Sequence, residues 1–288
     1  MSRIALGIEY DGSAFSGWQS QTHAVSVQSA VETALSSVAD HPVEVVAAGR
    51  TDAGVHAAMQ VVHFDSTAIR TARSWVLGAN SGLPPQVTVL WAREVPEGFH
   101  ARYAAMARSY RYYILNRPVR PALGGQYVSW VRRPLDHERM HAAAQQLLGE
   151  HDFSSFRAAE CQSRTPMRRL YGIEVQRQGE IVVVAVTANA FLHHMVRNIA
   201  GVLIAVGCGD QPVQWVAQVL AARDRTRGGV TAPPNGLYLS GVRYAPALGL
   251  PTEAGPVLAP GLSPGPLLGA SPGLPGAPGP SIDAPHQI

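Results

Sequence analysis

The chain has 288 residues, 46% of them hydrophobic, and a formal net charge of +3. That length supports one large domain or two modest ones. Two cysteines, Cys161 and Cys208, are too few for a disulfide framework and carry no metal-ligand spacing, so reduced thiols in a cytoplasmic protein are expected. All 23 basic residues are arginine, a group that binds phosphate bidentately and stacks on bases, which an ammonium cannot do.

The chain enters a strand at once: residues 3–10 alternate, with no signal-peptide pattern before them. Val27, Ala30, Val31, Ala34, Leu35 and Val38 follow helical spacing, with Ser26 as N-cap. Strands are expected near 43–48 and 58–64, a helix over 71–79 and a strand over 87–91. The order is β-α-β-β-α-β.

A similar order follows. Residues 110–115 read as a strand, and Asp136 caps a helix in which Met140, Ala143, Ala144, Leu147 and Leu148 share one face. Strands over 170–175 and 181–186 form a hairpin turning at Gln178-Gly179. Helices near 191–206 and 212–222 precede a last strand over 237–244. The apolar stretch 199–206 is too short to span a membrane. Element order alone, without a sequence repeat, predicts an α+β protein of two ferredoxin-like, RRM-like halves, 1–105 and 106–245. Each would have an antiparallel sheet with helices on one face, and a cleft would lie between the two sheets. Residues 246–288 are rich in proline and glycine and lose all periodicity, so a disordered tail is expected there.

The most informative stretch is Gly49-Arg50-Thr51-Asp52-Ala53-Gly54-Val55-His56, a glycine-bounded loop between two apolar runs. It holds an aspartate and an arginine at the joint between strands. Its G-x-x-x-x-G opening lacks the following Lys-Ser/Thr and enters a strand, so it is not a triphosphate loop. The same residues also fit a plain turn in which Arg50 pairs with Asp52.

His193-His194 invites a metal reading, but neighbouring residues of a helix point about 100° apart and chelate one ion poorly. Arg197 lies four residues beyond His193 on an otherwise apolar helix and needs a carboxylate or phosphate partner. Aromatic and basic residues interleave at Phe99-His100-Ala101-Arg102-Tyr103 and Arg108-Ser109-Tyr110-Arg111-Tyr112. Such platforms hold single-stranded or extruded bases, although Tyr110 and Tyr112 equally suit a half-buried core face. Further arginines at 164, 168, 169, 223, 225 and 227 spread over loops and favour an extended polyanion.

Taken together, several motifs resemble the TruA family of tRNA pseudouridine synthases. They are Glu9-Tyr10-Asp11-Gly12-Ser13 with Gly17-Trp18-Gln19, the 49–56 loop, Phe99-His100-Ala101-Arg102, Arg108-Ser109-Tyr110-Arg111-Tyr112, Ser163-Arg164-Thr165-Pro166, Asn189-Ala190-Phe191-Leu192-His193-His194-Met195-Val196-Arg197-Asn198 and Gly236-Leu237-Tyr238-Leu239. The resemblance spans nearly all of 1–245. It implies a homodimer that isomerises uridines at positions 38 to 40, in the anticodon stem-loop of tRNA, with neither metal nor small-molecule cofactor and no membrane contact. It implies Asp52 as the catalytic carboxylate, Arg197 as its charge partner, Tyr110 at the target base and Arg50 in base flipping. His56, Arg102 and Arg164 are expected to bind substrate. Two competing readings remain: an RRM-like RNA-binding module without catalysis, and a metal-dependent phosphodiesterase using the histidines and Asp52.

Overall fold

A computed structural model describes residues 1–252; 253–288, and with them most of the expected tail, lie outside the described residues. Residues 246–252 were expected to be disordered but are not. Pro246–Leu248 forms a single 3-10 turn, and Leu250 packs into the core, because its apolar side chain still reaches buried surface.

The first stretch comprises β1 (Ser2–Tyr10), α1 (Val27–Ala39), β2 (Val46–Ala47), β3 (His56–Ser66), α2 (Ala72–Gly82) and β4 (Val87–Val95). Ser26 and Thr71 cap α1 and α2 by accepting hydrogen bonds from the amides of Ser29 and Ser74, both at 3.1 Å. The two helices pack on each other and bury Val31, Leu35, Trp75 and Ala79 against the sheet. β2 is shorter than its apolar pattern suggests because α1 takes its backbone donors. Val43 N–H donates to Ser36 Oγ at 2.9 Å, and Val45 N–H to Glu32 Oε1 at 3.0 Å.

The second stretch comprises β5 (Ala107–Asn116), β6 (Ser129–Val131), α3 (His137–Ala144), β7 (Gly149–Asp152), β8 (Met167–Gln178), β9 (Ile181–Ala188), α4 (Met195–Gly207), α5 (Trp215–Ala222) and β10 (Leu237–Arg243). Asp136 caps α3 through the Arg139 amide at 3.0 Å. The β8–β9 hairpin turns through Gly179 at φ 58°, a left-handed position that glycine takes without strain. α4 is the central helix of this stretch, buried along most of its length from Met195 to Gly207.

The strands run β4-β1-β3-β10-β5-β9-β8-β7, with β2 added on β3 and β6 on β5. The two expected sheets are joined edge to edge into one ten-stranded sheet among the described residues. Beyond its pairing with β2, the free edge of β3 meets β10 through a short parallel pairing, His56 opposite Tyr238 and Ala57 opposite Leu239. Among the described residues, parallel pairing occurs there and between β5 and β6, and the other pairs are antiparallel. The same strand order recurs on the two sides of the seam, as β4-β1-β3-β2 and β10-β5-β9-β8.

Gly201 lies in α4 where the helix meets the carbonyl of Val230, and an added Cβ would land on that oxygen. Helix propensity favours Gly201→Ala by about 1 kcal/mol, whereas overpacking against fixed backbone costs about 1–3 kcal/mol. Gly201→Ala is expected to lower the midpoint of thermal unfolding measured by circular dichroism. A raised midpoint would mean that the 224–232 loop does not rest on α4.

Candidate active site

The loop 48–55 links β2 to β3 and is pinned from several sides. Ala48 N–H donates to Val61 O at 2.8 Å, and Gln60, fully buried, donates from Nε2 to Gly49 O at 2.7 Å. Trp18 N–H donates to Thr51 O at 3.0 Å, and the buried Tyr10 hydroxyl meets Thr51 Oγ1 at 2.7 Å. The 12–18 segment can approach this closely because Gly17 sits at φ 101° with no side chain. A Cβ there would lie 2.9 Å from Thr51 O. Val55 N–H closes the loop onto Asp52 O at 3.1 Å. The backbone of Asp52 is thus fixed while its carboxylate stays a quarter exposed.

Three side chains from the start of α4 converge on that carboxylate. Arg197 Nη1 donates to Oδ2 at 3.0 Å, His194 Nε2 lies 3.2 Å from Oδ2, and His193 Nε2 lies 3.3 Å from Oδ1. The expected partnership of Arg197 with Asp52 is met. Ala53-Gly54 do form the turn that the sequence suggests, but Arg50, exposed beside it, is not among the ion-pair partners of Asp52 in the described residues. The guanidinium of Arg197 is aimed by a second bond, from Nε to Ala232 O at 2.9 Å. Asn198 steadies the strap that supplies this carbonyl. Its Oδ1 accepts from Thr231 Oγ1 at 2.7 Å and from Arg225 Nη2 at 3.1 Å, while its Nδ2 donates to Phe156 O at 2.8 Å.

The divergence expected of the two histidines is corrected. They precede α4 instead of lying on it, and His194 adopts the left-handed conformation at φ 60°. That bend swings the imidazoles to the same side, with ring centroids 4.0 Å apart. One oxygen of Asp52 and the two imidazole nitrogens lie within 4.8 Å of one another, the spacing of a cation site. The donor set fits a metal poorly, because the guanidinium of Arg197 already occupies Oδ2 and would oppose a second cation there. Burial pushes His194 below the ordinary histidine range; the Asp52 charge opposes that, and Arg197 and His193 add to it.

Tyr110 projects from β5 into this site. It is buried, packs edge-on against Phe191 with centroids 5.0 Å apart, and its hydroxyl faces Gly49. Burial pushes its phenol up to about 12, with Asp52 adding and Arg108 opposing. Two residues earlier, Arg108, which the sequence places in the aromatic–arginine platform for bases, is a buried cation bound to the protein's own carbonyls. It donates to Ala48 O and Ala105 O, both at 3.0 Å, to Asn189 O at 2.9 Å and to Arg102 O at 2.5 Å. Its alternation with Tyr110 on one strand face was the available signal.

The other expected substrate contacts separate. Arg102 and Arg164 are exposed, and the Arg102 guanidinium lies 5.9 Å from the Tyr103 ring centroid. His56 is the correction among them, being buried with both ring nitrogens engaged by the protein. Nδ1 accepts from Gly12 N–H at 3.1 Å, Nε2 donates to Gln126 O at 3.0 Å, and the ring stacks on Tyr238 at 4.6 Å. It locks the sheet seam and has no polar atom left for substrate.

Residues 7–104 and 143–245 match the family model described as tRNA pseudouridine synthase. A protein of Coxiella burnetii named tRNA pseudouridine synthase A is 60% identical over 251 residues, covering 87% of this chain and 96% of the relative. Proteins of the same name from Methylococcus capsulatus and Aeromonas hydrophila are 60% and 56% identical, covering 88% and 91% of this chain and 93% and 98% of their own.

Replacing Arg108 strips four buried or half-buried carbonyls of their donor. Arg108→Met is expected to destabilise the fold by about 2–4 kcal/mol, since unsatisfied buried acceptors cost about 1–3 kcal/mol each and some regain water. Urea unfolding followed by fluorescence measures this; a loss below about 0.5 kcal/mol would show the four carbonyls to be indifferent to the cation.

Proposed function

This chain belongs to the tRNA pseudouridine synthase family, and on that footing we propose that it isomerises uridine to pseudouridine in the anticodon stem-loop of tRNA, at positions 38, 39 and 40. The observation that carries this reading is the Asp52 carboxylate, a quarter exposed and gripped by Arg197 from a segment 145 residues away. An RNA-binding module has no use for such an acid in a basic surface.

The reaction breaks the N1–C1′ bond, turns the uracil and joins C5 to C1′. Nothing is oxidised and no group leaves, so one ionised carboxylate suffices as the reacting group. Asp52 acts on the ribose, as a nucleophile at C1′ or as the base that starts an elimination. Arg197 holds it in one orientation through the Nη1–Oδ2 hydrogen bond. The base must first leave its stack, which costs a few kcal/mol. Arg50, exposed next to Asp52, is placed to offset that cost by filling the vacated space or gripping the flanking phosphates. Tyr110, with its phenol pushed up to about 12, keeps its proton at neutral pH and serves as a wall and hydrogen-bond donor for the extruded uracil. The exposed Arg102 and Arg164 track the phosphate backbone.

In this reading 1–105 and 106–245 are two ferredoxin-like halves. Support comes from the strand order repeated on both sides of the seam. Asp52 comes from one half and Arg197 from the other, so the reacting carboxylate sits where they join. A homodimer would let one subunit grip the body of the tRNA while the other modifies it. No helix among the described residues is long and apolar enough to cross a membrane.

The test is site-by-site pseudouridine mapping of an unmodified tRNA transcript incubated with pure protein and a chelator, beside Asp52→Asn. Wild type is expected to modify the anticodon arm, and Asp52→Asn to lose turnover while binding tRNA within about tenfold of wild type, as the loss of one reacting group predicts. Binding without modification by wild type would leave the RNA-binding module as the better reading. Chelator-sensitive strand cleavage would favour the phosphodiesterase.

A further inference from the structure

The isomerisation has a proton to move that Asp52 and Arg197 do not account for. Once C5 has joined C1′, C5 carries both its hydrogen and the ribose. The C5–H bond must then break, its electron pair forming the C5–C6 double bond. The C6–N1 π pair moves onto N1, which takes a proton. The net change is one proton moved from C5 to N1, with no oxidant, reductant or co-reactant. Asp52 works at C1′ or, in an elimination, at the adjoining C2′, so this proton leaves C5 in the immediate surroundings of the Asp52 carboxylate.

We propose that His193 and His194 are catalytic residues that carry this proton, one imidazole accepting it from C5 while an N–H of the pair returns one to N1. The proposal rests on the synthase reading above. Three side chains have polar atoms against the Asp52 carboxylate among the described residues: Arg197, His193 and His194. A guanidinium does not give up its proton. Imidazole is the side chain whose ordinary range brackets neutral pH and whose two nitrogens can accept and donate in one event.

The geometry suits a relay. The rings lie 4.0 Å apart, their side chains are 35% and 29% exposed, and each keeps Nε2 toward Asp52. Neither Nδ1 has a hydrogen-bond partner among the described residues, which leaves it for substrate. The backbone is held for the purpose. His193 N–H donates to Cys161 Sγ at 3.4 Å, its carbonyl accepts from Ala158 N–H at 3.0 Å, and His194 O accepts from Asn198 N–H at 2.9 Å. His194 is one of three non-glycine residues at positive φ in the described chain. A left-handed conformation costs about 1–3 kcal/mol outside glycine and persists where the surroundings enforce it. Here it is the bend that brings both rings onto one carboxylate. Tyr110 is the rival for this role, and its raised phenol makes it a poor acceptor at neutral pH.

The test uses single-turnover kinetics on a tRNA transcript made with either ordinary or 5-deuterated uridine, for wild type, His193→Asn, His194→Asn and the double alanine variant. Asparagine tolerates the φ of His194 better than other residues, so the turn is preserved. Each single variant should slow about tenfold or more, and the double variant about 100-fold or more, the range of a lost acid–base group. tRNA affinity should stay within about threefold. The rate ratio between ordinary and deuterated substrate should rise above that of wild type, and added imidazole should restore the double variant about tenfold. A slowed variant with an unchanged isotope ratio and no rescue would mean that the histidines merely position Asp52, which would then take the C5 proton itself, and the proposal fails. Variants as fast as wild type overturn it as well. Wild type that makes no pseudouridine would instead sink the synthase reading, a result distinguishable from either.

Discussion

The contact between Asp52 and Arg197 organises the rest of the molecule. A half-buried ion pair is weak support for stability, because desolvating two charges offsets most of their attraction. Its value lies in holding one carboxylate in one orientation. That demands that two segments 145 residues apart arrive together. The seam between β3 and β10 delivers them. Asp52 precedes β3 by four residues, and Ala232, the carbonyl that aims Arg197, precedes β10 by five. Because the two strands run parallel and pair from their first residues, both loops leave the same end of the sheet side by side. An antiparallel seam would send them to opposite ends.

The site is preorganised by polar groups that a core would otherwise avoid. Gln60, Arg108, Asn198 and His56 are all buried, and each ties down a loop or a short 3-10 turn with a side-chain hydrogen bond. Arg108 is the clearest case, because no carboxylate among the described residues pairs with it. Four carbonyls from the 48–55 loop, the 102–105 link and the turn before α4 share its charge, so one side chain ties together the segments carrying Asp52, Tyr110 and the histidines. Such a network rigidifies when every member is satisfied. Catalytic positioning of a single reacting group needs that rigidity, since a displacement of about 1 Å can cost two orders of magnitude in rate.

Local pattern carried the elements and the need of Arg197 for an anionic partner, while the pairing with Asp52 came from the family resemblance. Helical spacing in α1, the caps at Ser26 and Asp136, the β8–β9 hairpin and the need of Arg197 for an acid are all properties of short windows, and the structure keeps them. What was not legible depends on partners distant in sequence. Two residues of β3 meet two of β10 and turn two sheets into one. Glu32 and Ser36 on α1 capture the amides that would have lengthened β2. The histidine pair was visible but misplaced, because helical periodicity extends the helix back over 191–194 while the left-handed turn at His194 starts it at Met195. His56 stands in the motif loop, yet it faces the seam; motif membership did not reveal which way a strand residue points.

The measurement that bears most directly on this account is single-turnover pseudouridine formation by Arg197→Gln, with tRNA affinity and thermal unfolding measured on the same protein. If the guanidinium exists to aim Asp52, the rate falls by about 100-fold or more, a loss of about 3 kcal/mol or more in transition-state stabilisation. tRNA affinity stays within about threefold and the fold survives. A folded Arg197→Gln protein that turns over at the wild-type rate would contradict the account, because the carboxylate would then need no partner across the seam.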